Sequence, residues 1–297
     1  MKDSIAKLAQ RKRGELARIV SIIRDSAPQA EMIILFGSYA RGDAVEDVTV
    51  DGNTTYEYSS DFDILVIVKS KSLADNLDLW YSIEDEAGKL PVQTPVKIIA
   101  HEIDFVNKKL EKGQYFFSDI KKDGITLYDS KNCQLAQAKE LTPKERLGQA
   151  KTDFKQRFKK AKGFYKAFGW HMDDKDYNLA AFNLHQSAEC YYSTVLLVYT
   201  NYKPKTHDLD TLRRLAANHD PAFFTAFPLR TKLERDRFDL LRQAYVKARY
   251  DENYKITPEE LKYLARCVEL LQQQTKVSCD EKMANWSDPS SEAPQGA

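Results

Sequence analysis

Gly37 and Ser38 follow a short, almost wholly apolar run, Glu31-Met-Ile-Ile-Leu-Phe36, and lead into a segment of helical character. A Gly-Ser turn between a buried strand and a helix presents backbone N–H groups to an anion, and the positive end of the helix adds attraction. Ser38 contributes a hydroxyl, and Arg41, one turn on, contributes a guanidinium whose fork matches phosphate. Alone, such a turn reads more readily as an ordinary capped helix start. A second block changes its meaning. Ser60-Asp-Phe-Asp-Ile-Leu65 sets Asp61 and Asp63 at i and i+2 at the head of another apolar run, so both carboxylates leave a strand on one face. Two adjacent carboxylates repel unless a cation neutralises them. Mg2+ (or Mn2+), which takes oxygen ligands and shares them with substrate phosphates, suits the pair. The plainer alternative makes Asp61 a turn residue and Asp63 a solvent-facing one.

The elements that must hold these groups follow from periodicity. From about Ser4 to Asp25 the apolar spacing predicts an amphipathic helix, ended by Ala27-Pro28. Residues 31–36 and 62–68 read as buried strands. Val45 to Tyr58, rich in Val, Thr and Tyr around Asp51-Gly52-Asn53, reads as an inserted hairpin. Ser72 to Lys89 predicts one helix capped by Ser72, Pro95 to Ala100 a strand, Glu102–Leu110 and Tyr115–Lys122 two helices, and Ile125–Tyr128 a last strand. Alternating helices and strands make residues 1–130 an α/β unit. Residues 131–142 read as a polar linker. Residues 143–276 form an all-α bundle in this reading, with helices Pro143–Phe168, Lys175–Thr200, Asp208–Asn218, Lys232–Tyr250 and Pro258–Gln274. The Pro- and Ser-rich residues 277–297 read as a disordered tail.

Composition narrows the function. The 297 residues carry 45 Lys and Arg against 44 Asp and Glu, a formal net charge of +1, so bulk charge does not recommend non-specific nucleic-acid binding. A hydrophobic fraction of 42% supports real cores. Cys133, Cys190, Cys267 and Cys279 are too scattered for a zinc site and fit free thiols in a reducing compartment. No apolar run has the length of a membrane span or a signal core, so the expected setting is soluble and cytoplasmic.

Leu35-Phe-Gly-Ser-Tyr-Ala-Arg-Gly42 with Ser60-Asp-Phe-Asp-Ile-Leu65 closely resembles the GSxARG…SDxDL signature of nucleotidyltransferases in the DNA polymerase β superfamily. The form is that of the minimal and kanamycin-nucleotidyltransferase-like members, and it implies an α/β (α+β) fold with a mixed sheet. The resemblance implies a phosphate site at Gly37, Ser38 and Arg41, with Asp61 and Asp63 as catalytic metal ligands. It implies transfer of NMP from an NTP to a hydroxyl acceptor on a protein, an RNA or a small molecule. Family members carry a third carboxylate in a segment like PVDVV. Here Pro95-Val-Lys-Ile-Ile99 sets Lys97 at that place. Either the register differs and Glu102 or Asp104 contributes, or the domain binds nucleotide with little or no transfer, as a sensor or scaffold.

From about Lys144 to Thr275, Ala181-Phe-Asn-Leu-His-Gln-Ser-Ala-Glu189 and Pro204-Lys-Thr-His-Asp-Leu209 resemble the HEPN family of helical domains. Many HEPN domains are ribonucleases that use an arginine followed closely by a histidine. The matching stretch, Arg249-Tyr-Asp-Glu-Asn-Tyr254, puts Tyr254 where the histidine would stand. Without that imidazole the usual acid/base group is missing, and no HEPN-type cleavage is expected. His185 and Glu189, at i and i+4 on one helical face, and Arg249 are further candidates for binding nucleotide or acceptor; a buried pair satisfied within the bundle is the competing account. His207 reads as part of a capped turn. A homodimer through the helical half is expected.

Overall fold

The computed structural model describes residues 5–42, 44, 46–51, 54–90 and 94–287, with the backbone alone at 46–51 and 54–59. The chain divides into two compact units, Met1–Glu140 and Leu141–Ala297.

In the first unit the order is α1 Gln10–Ser26, β1 Ala30–Phe36, α2 Gly37–Arg41, β2 Glu46–Asp51, β3 Thr54–Ser59, β4 Phe62–Val68, α3 Lys71–Ala74, α4 Leu77–Lys89, β5 Val96–Glu102, α5 Ile103–Glu111, α6 Tyr115–Asp123 and β6 Ile125–Asp129. The mixed four-stranded sheet runs β5-β4-β1-β6, with β1 antiparallel to both β4 and β6 and β4 parallel to β5. Every residue of β1 and β4 is buried, as their unbroken apolar runs require of central strands. β2 and β3 form the expected antiparallel hairpin as a separate two-stranded sheet. Val45, Gly52 and Asn53 of that hairpin lie outside the described residues.

Alternate residues assign the sheet faces. Ile33, Leu35, Ile64, Val66 and Val68 share one core with Leu16, Ile19 and Ile23 of α1 and with Trp80, Ile83 and Ala87 of α4. On the opposite face Phe36 meets Phe116, and His101 meets Phe105 and Phe117, from α5 and α6. Asp63 belongs to this second face.

Two boundaries differ from the sequence reading for local reasons. The single helix expected over 72–89 is two. Ser70, not Ser72, caps α3 through the Leu73 N–H, and Asn76 opens α4 by accepting the Leu79 N–H at 3.2 Å. The polar stretch after 131 is fastened to the first unit. Asn107 exchanges bonds with Gln134 O and Ala136 N, Lys121 Nζ donates to Ala136 O, and Lys139 N donates to Leu110 O.

The second unit comprises α7 Pro143–Asp173, α8 Tyr177–Thr200, α9 Leu209–Ala217, a 3-10 turn Pro221–Phe224, α10 Lys232–Gln243, α11 Lys247–Tyr250 and α12 Pro258–Asn285. Thr142 caps α7 and Thr257 caps α12, each reciprocated by the glutamate three residues on, Glu145 and Glu260. α8 is the central helix, buried almost throughout from Ala180 to Val198. α12 continues through Asn285 rather than stopping near Gln274, because Thr275, Ser278, Cys279 and Met283 remain buried. Residues 288–297 of the expected tail lie outside the described residues. The one helix expected over 232–250 breaks after Gln243. At the break Arg249 Nε takes the Tyr245 carbonyl at 2.8 Å, and the Arg249 amide turns to Val246 instead. The four cysteines are free thiols, and among the described residues no helix is long and apolar enough to cross a membrane.

Candidate functional site

Antiparallel pairing of β1 with β4 places the end of one strand beside the start of the other, with Phe36 opposite Asp63. The turn that follows β1 therefore lies against the carboxylates that open β4. Gly37 has φ of +74°, a backbone conformation that disfavours side chains, and a Cβ built on it would lie 2.2 Å from Asp63 Oδ2. Only a residue without a side chain lets the turn and the carboxylate approach this closely. Ser38 is half-buried, and its carbonyl accepts the Gly42 N–H at 2.8 Å; Gly42, at φ +93°, ends α2 in the left-handed conformation. α2 is five residues long. What it offers an anion is therefore its first backbone N–H groups and the Ser38 hydroxyl, with little macrodipole behind them.

Asp63 is 5% exposed. Burial and the neighbouring Asp61 push its carboxyl up to about 7, against the opposing pull of Arg41 and Lys97. Asp61 is half-buried and Arg41 exposed at the rim. A buried carboxylate disfavoured in this way beside a second carboxylate fits a divalent cation, which would hold both charges at once. Among the described residues no group of three or more His, Cys, Asp or Glu is placed to hold a metal, and the residues here that could hold one are this pair.

β5 supplies the third neighbour. It lies parallel to β4 with Asp63 opposite Lys97 and Val68 opposite Glu102. Glu102 and Asp104 therefore sit toward the other end of the strand, Glu102 about 16 Å from the Asp63 position. They do not complete the carboxylate set, and Lys97 does stand in register with Asp63. Its ammonium lies 3.6 Å from Glu84 Oε2, while Glu84 Oε1 accepts the Ile98 N–H at 2.6 Å. β5 is an edge strand, and Glu84 of α4 satisfies an amide that no further strand pairs. Burial pushes the Glu84 carboxyl up, offset by Lys97 and the Ile98 amide. Nothing in the local sequence marks Glu84; only the packing of α4 on the sheet edge does. On the other side Lys12 donates to Thr94, which donates to Glu15 at 2.7 Å, pinning the approach to β5 onto α1. The Phe62 N–H, bound to Pro95 O at 2.7 Å, aligns the starts of β4 and β5.

Residues 18–132 match the family model described as Polymerase beta, Nucleotidyltransferase, and residues 154–276 match that of the HEPN domain. The chain is a nucleotidyltransferase domain followed by a HEPN domain. No curated protein matches it.

In the HEPN domain, His185 and Glu189 project from α8 toward the chain that leads into α9. His185 is fully buried, and its Nε2 donates to the His207 carbonyl at 3.1 Å while Nδ1 receives Gln186 at 3.4 Å, which fixes the neutral ring. Glu189 holds Lys203 Nζ at 2.8 Å and His207 Nδ1 at 2.9 Å, and these contacts lower its pKa against its burial. His207 lies flat on Tyr245, ring centroids 4.1 Å apart. His185 and Glu189 thus converge on His207 rather than on each other, and fasten the α8–α9 connection. Arg249 is exposed, its guanidinium within 5 Å of the rings of Phe182, Tyr245 and Tyr250. Tyr254 is buried in the core, and its hydroxyl donates to Leu240 O at 3.0 Å. It is a packing residue; burial pushes its phenol pKa up, away from acid/base use near neutrality.

Burial holds the His185 pKa down to about 4. An unfolded histidine titrates near about 6.5, so between those values the unfolded chain takes up a proton that the folded one refuses. HEPN-domain stability is therefore full above the unfolded pKa and falls as pH drops through the window, by about 3 kcal/mol for this group. Urea unfolding in a Trp80→Phe background, read by Trp170 and Trp286, measures the slope. His185→Gln should remove most of it; an unchanged slope would assign the acid sensitivity elsewhere.

Proposed function

We propose that the nucleotidyltransferase domain moves a nucleoside monophosphate from an NTP to a hydroxyl acceptor on a protein, an RNA or a small molecule. The observation that supports this reading is the close approach of the Gly37 turn to Asp63, where a Cβ on Gly37 would lie 2.2 Å from Oδ2; it brings backbone N–H groups suited to phosphate beside carboxylates suited to a cation. Gly37, Ser38 and Arg41 hold the triphosphate in this reading. Asp61 and Asp63 would hold Mg2+ or Mn2+, which would supply positive charge to offset that of the triphosphate. The acceptor oxygen attacks the α-phosphorus in line, the bond from that phosphorus to the bridging oxygen of the β-phosphate breaks, and pyrophosphate leaves. The acceptor proton is released to water. A cytoplasmic setting and pairing of two copies through the HEPN domain belong to the same reading.

A second reading, nucleotide binding without turnover in a sensor or scaffold, is favoured by Lys97 standing opposite Asp63. The two separate in one experiment. The full chain is incubated with each α-labelled NTP, Mg2+ or Mn2+ and cell extract as acceptor source, beside an Asp61→Ala/Asp63→Ala control. Label transferred by the wild type and not by the control is the expected result. Bound nucleotide with no label moved under any condition would replace transfer by sensing. RNA cleavage by the HEPN domain is the least supported role, since Tyr254 is buried and bonded; cleavage lost in Arg249→Ala but kept in the double variant would revive it.

A further inference from the structure

We infer that the nucleotide site takes one divalent cation where a three-carboxylate site takes two, with the Lys97 ammonium, braced by Glu84, in place of the second. The inference rests on the nucleotidyltransferase reading and concerns how that site balances its charge.

Register is the first support. Asp63 and Lys97 are partners on parallel neighbouring strands, so their side chains leave the same face at the same level. No shift of one residue repairs the set, since the apolar partners Ile64 with Ile98 and Leu65 with Ile99 fix the pairing on both sides of the sheet.

The second support is that Lys97 is built in. Its side chain is about one-third exposed at 34% against 16% for Glu84, and Glu84 is itself anchored on the Ile98 amide at 2.6 Å. A surface lysine would spread its ammonium over many rotamers; this one has a fixed counter-group at the sheet edge. Glu84 is in turn occupied by Lys97 and Ile98 and is not a spare metal ligand. The charges communicate across the cluster, Lys97 acting on Asp63 and Asp61 acting on Glu84.

Charge arithmetic supplies the third. Exchanging a carboxylate for an ammonium shifts the formal charge of a site by two units, the charge of one divalent cation. Counted over the groups at the heads of β4 and β5 alone, without Glu84 of α4, a site with three carboxylates and two divalent ions has the same sum as one with two carboxylates, one ammonium and one divalent ion. A second divalent ion added beside Lys97 would meet repulsion and lack the oxygen donor that Glu102 and Asp104, at the far end of β5, do not provide. The ammonium donates hydrogen bonds to phosphate oxygen without exchanging ligands.

The test counts ions. Full-length protein is saturated with an α,β-methylene NTP, which cannot transfer its nucleotide, and titrated with Mn2+, free Mn2+ being read by electron paramagnetic resonance. The wild type should bind one Mn2+ per bound nucleotide, and Lys97→Asp two. Lys97→Met, which adds no donor, should stay at one. Two ions in the wild type overturn the inference whatever the variants do, and so does a Lys97→Asp protein that binds nucleotide but still takes one. A wild type that retains no nucleotide at all fails differently, removing the nucleotidyltransferase reading itself.

Discussion

Asp63→Asn should make the metal-free nucleotidyltransferase domain more stable at mildly alkaline pH, by about 4 kcal/mol, while lowering nucleotidyl transfer by about 10³-fold. The stability term follows from a carboxyl raised from 3.8 to about 7 by burial and by Asp61. Between those values the folded state keeps a proton that the unfolded state has released. The contribution of Asp63 to stability is therefore intact below the unfolded pKa and is lost as pH rises through the folded one. Above that point the domain holds a buried charge that the amide lacks. The activity term follows from the same charge. A metal ligand stabilises several kcal/mol of developing charge on the phosphates, and each 1.36 kcal/mol is tenfold in rate. Urea unfolding in chelator at acid and alkaline pH should show wild type and variant converging on acidification. Divalent ions should stabilise the wild type alone. If Asp63→Asn unfolds more easily than wild type at alkaline pH, Asp63 is a structural anchor and not a charge held in readiness.

Much of this was legible in the sequence because local chemistry decided it. The runs 31–36 and 62–68 read as buried strands from their apolar residues alone, and both are buried throughout. The chemical pair needed nothing beyond i and i+2. What stayed hidden depends on pairing across distance. The resemblance set Lys97 at the third-carboxylate place with the register left open, and only the parallel pairing of β4 with β5, across a connection that includes α3 and α4, puts it opposite Asp63. Glu84 was invisible because its role comes from reaching an edge amide, not from its neighbours in sequence. Tyr254 carried the spacing of a site residue, yet its phenol is spent on the Leu240 carbonyl. His185 and Glu189 showed the opposite: a helical face was predictable, but not that both would grip His207.

Gly37→Ala should lower nucleotidyl transfer by about 10²-fold or more and stability by about 2 kcal/mol, whereas Gly42→Ala should cost about 1 kcal/mol and leave transfer nearly unchanged. Both glycines have positive φ, +74° and +93°, so both substitutions carry the strain of a left-handed alanine. They differ in what the new methyl meets. At Gly42 nothing lies within 4 Å, while at Gly37 the Cβ would fall 2.2 Å from Asp63 Oδ2, with the rest of that side chain at 3.1 and 3.2 Å. Asp63 is buried and cannot swing into solvent, so either its carboxylate turns away or the Gly37–Ser38 turn lifts off. Each outcome separates the two halves of the site by the width of a methyl group, and positioning errors of that size cost about 10²-fold. Backbone strain and site geometry are thereby measured apart: equal losses of transfer in the two variants would attribute the requirement for glycine to conformation alone, and a selective loss at Gly37 ties it to the contact with Asp63.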